Sequence, residues 1–380
     1  MKILIFFTGV ALSLILVRGC NPMETNHSKE EVNMYKNSKN YNIEKKEFTN
    51  RKPNIMDEMW DRNLNLKNII DLLKGGENLV PSKSLPELKP DIAEFLYPSS
   101  YLKAIWFGHS SFILNMNGTI VFVDPVFSNS AAPVSFVSKR FQPPVLKLNE
   151  LPEIDYILIS HDHYDHLDME SIKHFIDKKA NFVTPLGVGS HLERWGIPTE
   201  RIVEKDWWET AEFDGLKFIA TPAQHFSARG ICDRNKTLWA SWVIQSENHN
   251  IYFSGDSGYD IHFKDIGDKY GPFDVAFLES GQYNEQWREG HMFPEDAALA
   301  YKDLKAKKFF PIHWGMFVLS KHPWNDPAKQ LHKLSKTHQI DLVIPKLGQL
   351  VNFSDEFQLD VWWNLATVLD FGVYAASSMP

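Results

Sequence analysis

The chain has 380 residues, 43% apolar and 23% charged, with 40 Lys and Arg against 48 Asp and Glu for a formal net charge of −8. This composition excludes a wholly disordered or fibrous protein, and an acidic balance without a basic stripe does not favour nucleic acid as a partner. Two cysteines, Cys20 and Cys232, are too few for a disulfide scaffold or a thiolate-rich metal site, whereas 15 histidines make histidine spacing the first pattern to read.

Lys2 opens a short basic start, followed by an apolar run from Ile3 to Val17 that ends in Val17-Arg18-Gly19-Cys20. Its length and flanks are those of a secretory segment and are short for a membrane span. The ending is similar to the cleavage site of bacterial lipoproteins, in which Cys20 would become the lipidated first residue. Arg18 departs from that pattern, so a plain cleaved signal and an uncleaved anchor stay open. The expectation is an exported protein, either a membrane-anchored lipoprotein or periplasmic. Residues 21–52 are rich in Asn, Lys, Glu and Ser without an apolar period, and read as a flexible tether. An N-terminal extension follows over 53–100. Its apolar residues from Ile55 to Leu73 have roughly helical spacing, and Pro81, Pro86 and Pro90 mark a connector.

From residue 101 short apolar strands alternate with helical stretches, which indicates an α/β domain over 101–352 with a C-terminal tail over 353–380. Strands are predicted at Ala104–Phe107, Phe112–Met116 and Thr119–Val123, with Asn117-Gly118 as a hairpin turn. Further strands are predicted at Tyr156–Ser160, Asn181–Thr184, Lys217–Thr221, Trp239–Gln245, Ile251–Ser254 and Val275–Leu278. Helices are predicted at 168–178, 188–195, 295–305 and 326–337. In the tail, Trp362, Trp363 and Leu365 are expected to pack on the domain.

The segment that carries chemistry runs from Ile154 through the apolar strand to His161-Asp162-His163-Tyr164-Asp165-His166-Leu167-Asp168. In an extended loop, residues two apart face the same way, so His161 and His163 can grip one metal while Asp165 and His166 turn toward a second. Imidazole and carboxylate donors without thiolate suit an open catalytic zinc, iron or manganese site. His225, Asp256 and His313 each follow an apolar strand and fit the same site, since strand-end loops of an α/β sheet converge on one edge.

These residues resemble the metallo-β-lactamase superfamily and, within it, the N-acyl-phosphatidylethanolamine phospholipase D branch. The matches are Trp106-Phe-Gly-His109, Asp124-Pro125, Lys139-Arg140-Phe141, the block from Ile154 to Asp168 and Asp206-Trp-Trp-Glu209. They continue in Leu238-Trp-Ala-Ser-Trp242, Gly255-Asp-Ser-Gly-Tyr259, Gly271-Pro-Phe-Asp274 and Ile312-His-Trp-Gly315, and together they span about 101–350. The resemblance implies a four-layer αβ/βα metallo-β-lactamase sandwich, here with an N-terminal helical extension. It implies two divalent ions, Zn2+ first and Fe or Mn also accommodated. His161, His163 and His225 would hold one ion, Asp165, His166 and His313 the other, with Asp256 bridging and a hydroxide between the ions as nucleophile.

Asp165, Asp256 and His291 are the expected catalytic groups, and Tyr164, Gln282, Tyr283 and His291 the expected substrate wall. Asp124 is either a partner orienting a ligand histidine or a strand-ending Asp-Pro turn, and His109 reads as a buried structural histidine. The stretch from Leu278 to Trp287 departs from the more apolar Pro-Ile-Gly-Ala-Tyr segment of the animal enzymes, with Glu279 and Gln282 making that wall more polar.

The resemblance thus implies hydrolysis of a phosphodiester, of a phospholipid or a smaller substrate, beside a membrane surface reached through the N-terminal anchor. Hydrolysis of a small soluble ester or lactone, or a non-catalytic binding role in the envelope, are the alternatives. No nucleic acid is expected, and homodimerisation stays open.

Overall fold

The structure is a computed structural model that describes residues 35–364 apart from 66, 69–73 and 231. The proposed signal and Cys20 therefore lie outside the described residues, as does most of the tail. Among the described residues no helix is long and apolar enough to cross a membrane.

The described part opens with a small hairpin, β1 (Tyr41–Asn42) and β2 (Glu47–Phe48), then α1 (Ile55–Asn63) and α2 (Ile92–Leu96). It continues through β3 (Lys103–Trp106), β4 (Phe112–Met116), β5 (Thr119–Val123), β6 (Tyr156–Leu158), α3 (Met169–Lys173), β7 (Asn181–Pro185), α4 (Gly189–Arg194) and β8 (Ile202–Lys205). The second half comprises β9 (Thr210–Phe213), β10 (Leu216–Thr221), β11 (Ser241–Gln245), β12 (Asn250–Phe253) and α5 (His262–Tyr270). It closes with β13 (Val275–Glu279), α6 (Pro294–Asp303), β14 (Lys308–Ile312), α7 (Asp326–His338) and β15 (Leu350–Asn352).

Two sheets form. One has the order β15-β3-β4-β5-β6-β7-β8 and the other β14-β13-β12-β11-β10-β9. Strands β5 to β8 run parallel, as do β12 to β14, and the remaining pairs are antiparallel. The Asn117-Gly118 turn joins β4 and β5 with φ of 56° and 94°, the left-handed conformation a tight hairpin needs and Asn-Gly supplies.

Side-chain alternation explains the layering. Phe112 and Leu114 point into the space between the sheets, where Phe112 stacks on Phe277 at 4.3 Å and meets Phe253 edge-on. Ile105, Phe107, Ile113, Phe122 and Ile157 form a separate core on the opposite face, closed by Ile172, Phe175 and Leu192 on and beside α3 and α4. Strands covered on both faces read as continuous apolar runs, which is why they were legible in the sequence. Helices α5 and α6 pack on each other outside the second sheet. They meet at Gly267, where any Cβ would sit 2.0 Å from the Asp303 carbonyl oxygen. Helix, sheet, sheet and helix make the expected four-layer sandwich.

The tether expected over 21–52 does not hold for its described part. Residues 35–52 are folded onto the body: Tyr35, Tyr41 and Phe48 are buried and pack as a trio with centroids 5.0–5.6 Å apart. Asn40 donates to Asp206 at 2.9 Å, and the Phe48 amide to the Asn235 carbonyl. Three widely spaced aromatics leave no periodic signal, and Asn40 and Asn50, two of the asparagines that suggested a solvated chain, instead hydrogen-bond across to the domain. In the tail, Trp362 and Trp363 are buried, with Trp362 stacked on Trp314 at 5.5 Å.

Candidate metal centre

Strand β6 ends at Leu158, and the next residues deliver the histidine-rich loop to the sheet edge. The ends of β3, β10, β12 and β14 bring His109, His225, Asp256 and His313 to the same place. His161 Nε2 lies 2.9 Å from His163 Nδ1, and His225 Nε2 lies 3.2 Å from the same atom. Asp256 Oδ2 sits 3.8 Å from both His161 Nε2 and His225 Nε2. On the other side, Asp256 Oδ1 is 3.2 Å from His166 Nε2 and 3.0 Å from His313 Nδ1. Asp165 Oδ2 approaches His166 Nε2 at 3.5 Å and His109 Nε2 at 2.9 Å. Asp256 thus turns one carboxylate oxygen toward each of two histidine groups, and it is buried.

The far ring nitrogens are held by protein groups. His161 Nδ1 meets Ser160 Oγ at 2.9 Å, His166 Nδ1 meets Asp124 Oδ2 at 2.7 Å, and His225 Nδ1 meets the Gly290 carbonyl at 3.0 Å. Such contacts orient an imidazole so that its Nε2 faces the cluster. The buried His166 Nε2, His313 Nε2 and Asp256 Oδ1 find no aligned hydrogen-bond partner among the described residues. Buried polar atoms without partners are costly, and their convergence, together with the imidazole and carboxylate donors, fits divalent cations. Burial, reinforced by neighbouring histidines, pushes His161 and His225 well below the ordinary histidine range, toward the neutral form that binds metal. For Asp256 burial acts upward, but His166 and His313 outweigh it and hold the carboxyl well below the usual range.

All seven expected ligands, His161, His163, Asp165, His166, His225, Asp256 and His313, therefore meet at one edge. Two further residues, His109 and Glu279, join them. His109, read as structural, is buried but lies against Asp165 and 4.2 Å from the His313 ring. It too follows an apolar strand, the signal that identified His225 and His313. Glu279, at the end of β13, is fully buried, with Oε2 2.9 Å from His291 Nδ1 and Oε1 accepting from the Met292 amide. Asp162 turns away from the cluster, accepting from the Ala228 amide and facing His191 Nε2 at 3.3 Å, so it braces the loop.

Of the expected catalytic and wall residues, His291 stands at the cluster's edge, stacked on His313 at 5.2 Å and edge-on to His225 at 5.0 Å. Tyr164 lines an open groove of about 1070 Å³ with Asp162, His191, Trp195 and Arg229. Its hydroxyl donates to the Arg229 carbonyl, and the Arg229 guanidinium lies 4.0 Å from its ring centre. Gln282 and Tyr283 depart from expectation. The Gln282 amide donates to the Phe317 carbonyl and accepts from the Leu319 amide, while the Tyr283 hydroxyl donates to Asp326. Both side chains are buried and committed to holding the 317–326 segment, so they brace the wall from behind instead of facing a substrate.

A family model described as the beta-lactamase superfamily domain matches residues 119–314. An uncharacterised protein of Mycobacterium bovis is 41% identical over 290 residues, 75% of this chain and 77% of that protein. The N-acyl-phosphatidylethanolamine-hydrolyzing phospholipase D 1 of Caenorhabditis elegans is 31% identical over 321 residues, 78% of this chain and 90% of the worm protein. Among solved structures, a metallo hydrolase from Ignicoccus hospitalis superposes with a TM-score of 0.52 at 23% identity, over 68% of this chain and 99% of its own, a likeness of fold.

Proposed function

The chain belongs to the metallo-β-lactamase superfamily of metal-dependent hydrolases, and from that membership we propose that it cleaves a phosphodiester, most specifically that of a phospholipid, at a two-ion centre. The observation that carries the two-ion reading is Asp256, one oxygen toward His161 and His225 and the other toward His166 and His313. The relation to an N-acyl-phosphatidylethanolamine-hydrolysing enzyme over nine-tenths of its length supports the substrate class.

His161, His163 and His225 would hold one ion, and Asp165, His166 and His313 the other, with Asp256 shared. Bound divalent ions supply a Lewis acid for the phosphoryl oxygens and a nucleophile from water near neutral pH. The chain's own residues do the rest. Asp124, Ser160 and the Gly290 carbonyl fix the histidines' orientation, and Asp256 keeps the two groups at a set spacing. His291, with 16% of its side chain exposed, is placed to meet the substrate's polar atoms with the nitrogen that Glu279 leaves free. We further propose that the N-terminal apolar run exports the chain and tethers it at a membrane, where a lipid substrate is concentrated.

The test is hydrolysis by metal-loaded full-length protein of N-acyl-phosphatidylethanolamine in mixed micelles, bis-p-nitrophenyl phosphate and a lactone panel, with His163→Ala as the blank. Release of phosphatidic acid by the intact site alone is the expected result. Turnover confined to lactones or small esters would keep the centre and discard the phosphodiester.

A further inference from the structure

His225 lies beyond the end of β10, past Thr221, where the pairing of that strand with β11 stops. Its amide and carbonyl are nevertheless both satisfied, and by a single side chain. Asn50 Nδ2 donates to the His225 carbonyl at 2.8 Å, and Asn50 Oδ1 accepts from the His225 amide at 3.1 Å. The two residues are 175 positions apart, and Asn50 is itself buried, 9% exposed. A primary amide presents the same donor and acceptor as a peptide group, so Asn50 stands in for the missing strand.

The imidazole of His225 is fixed by the same N-terminal stretch, through one intermediary. Its Nδ1 meets the Gly290 carbonyl, at the end of a turn over 285–290. Helix α1 holds that turn: Arg62 pairs with Glu289 at 2.6 Å, Asn63 donates to the Gln286 carbonyl, and Met56 approaches Gly290. Trp60 of the same helix meets Phe226 edge-on at 5.6 Å, and the Phe226 ring packs at 4.7 Å against His163. Arg51 and Lys52, between Asn50 and α1, pair with Asp260 and Asp265 on the segment leading into and along α5.

We propose that residues 50–63 are a strap that positions His225 for metal binding, with Asn50 the positioning residue, a role that rests on the metal centre proposed above. Removal of Asn50 would leave a buried amide and carbonyl unpaired and free the ligand's backbone to shift. Groups that orient ligands in this way typically change metal affinity by about 10–100-fold.

The test compares Asn50→Ala with Asn40→Ala, a second asparagine of the folded stretch 35–52 whose amide contacts Asp206 and which does not touch the site. Zn2+ affinity is measured by chelator competition, and backbone hydrogen exchange over 222–228 on the metal-free protein. For Asn50→Ala we expect Zn2+ affinity to fall about ten-fold or more and exchange at 222–228 to accelerate. Asn40→Ala should change neither, whatever it costs in melting temperature. Asn50→Asp, which retains the acceptor and loses the donor, should fall between and serves if the alanine variant does not fold. Wild-type affinity and exchange in the Asn50 variants would overturn the strap. If His225→Ala also leaves Zn2+ affinity unchanged, the metal reading has failed instead, and the exchange comparison alone then decides the strap.

Discussion

Asp124 Oδ2 lies 2.7 Å from His166 Nδ1, both side chains fully buried, and the same carboxylate accepts from the Ser160 amide at 2.8 Å and its hydroxyl at 2.6 Å. Asp124 therefore does more than end a strand before Pro125. It orients one proposed ligand directly and a second through Ser160, whose hydroxyl also meets His161 Nδ1. Replacing it as Asp124→Ala should weaken metal binding about 10–100-fold, read by chelator competition, while the seven proposed ligands stay in place. Unchanged affinity would reduce Asp124 to a turn residue.

Removing the metals should destabilise the fold as well as stop turnover, because His166 Nε2, His313 Nε2 and Asp256 Oδ1 are buried without aligned partners among the described residues. Free Zn2+ at a thousand-fold excess over its Kd adds roughly 4 kcal/mol of stability. Melting curves after chelation and after adding back Zn2+, Fe2+ or Mn2+ check this, with the ion that restores both Tm and turnover identifying the working metal. A Tm indifferent to chelator and to all three ions would count against a resident centre.

The Glu279–His291 pair predicts a division between binding and turnover. His291→Ala should lower kcat/KM by about 100-fold with metal content unchanged, in line with loss of a positioned proton-transfer or hydrogen-bonding group. Glu279→Gln should act in the same direction, and adding it to His291→Ala should cost little more, because the two form one unit. Metal analysis of the purified variants accompanies the kinetics. Loss of an ion in Glu279→Gln would instead assign Glu279 to metal binding, since Asp256, Glu279, His291 and His313 also converge closely enough to hold one.

His262 gives the fold a dependence on acid. Burial, with Arg51 and Lys52 adding to it against Asp260, pushes its pKa from 6.5 down to about 3. The unfolded chain takes up the proton near 6.5 and the folded chain does not, so stability is full above that pH. It falls as pH drops from about 6.5 toward 3, by up to about 1.4 kcal/mol per pH unit. Urea titrations of metal-free protein at pH 7, 6 and 5 should show a slope of this sign, to which the buried cluster histidines His161 and His225 also contribute, and His262→Gln should reduce it. Equal slopes in the two proteins would exclude His262 as a source.

Tyr283→Phe tests whether this side chain braces the 317–326 segment or serves the substrate. Losing the hydroxyl that donates to Asp326 should cost about 1–3 kcal/mol in stability and leave KM for the working substrate unaltered. A several-fold rise in KM at full stability would return Tyr283 to the substrate wall.

The local pattern of the chain determined most of the catalytic edge. Strands buried on both faces must be apolar throughout, so the runs before His161, His225, Asp256 and His313 announced themselves, and so did the polar residues at their ends. Helices α2 and α5 and strands β1, β2, β8, β9 and β15 carry no such signal. Strand β9 lies at the edge of its sheet, β8 keeps all four residues partly solvated, and α5 carries Gly267, whose presence follows from the contact with Asp303 and not from helix preference. What only the tertiary structure decided are relationships between distant residues with no periodic trace. Asn50 pairs with a backbone 175 positions away, and Gln282 and Tyr283 turn into the wall instead of the groove. A hydrogen bond constrains two atoms in space, and nothing in the spacing of residues along the chain records which partner each atom will find.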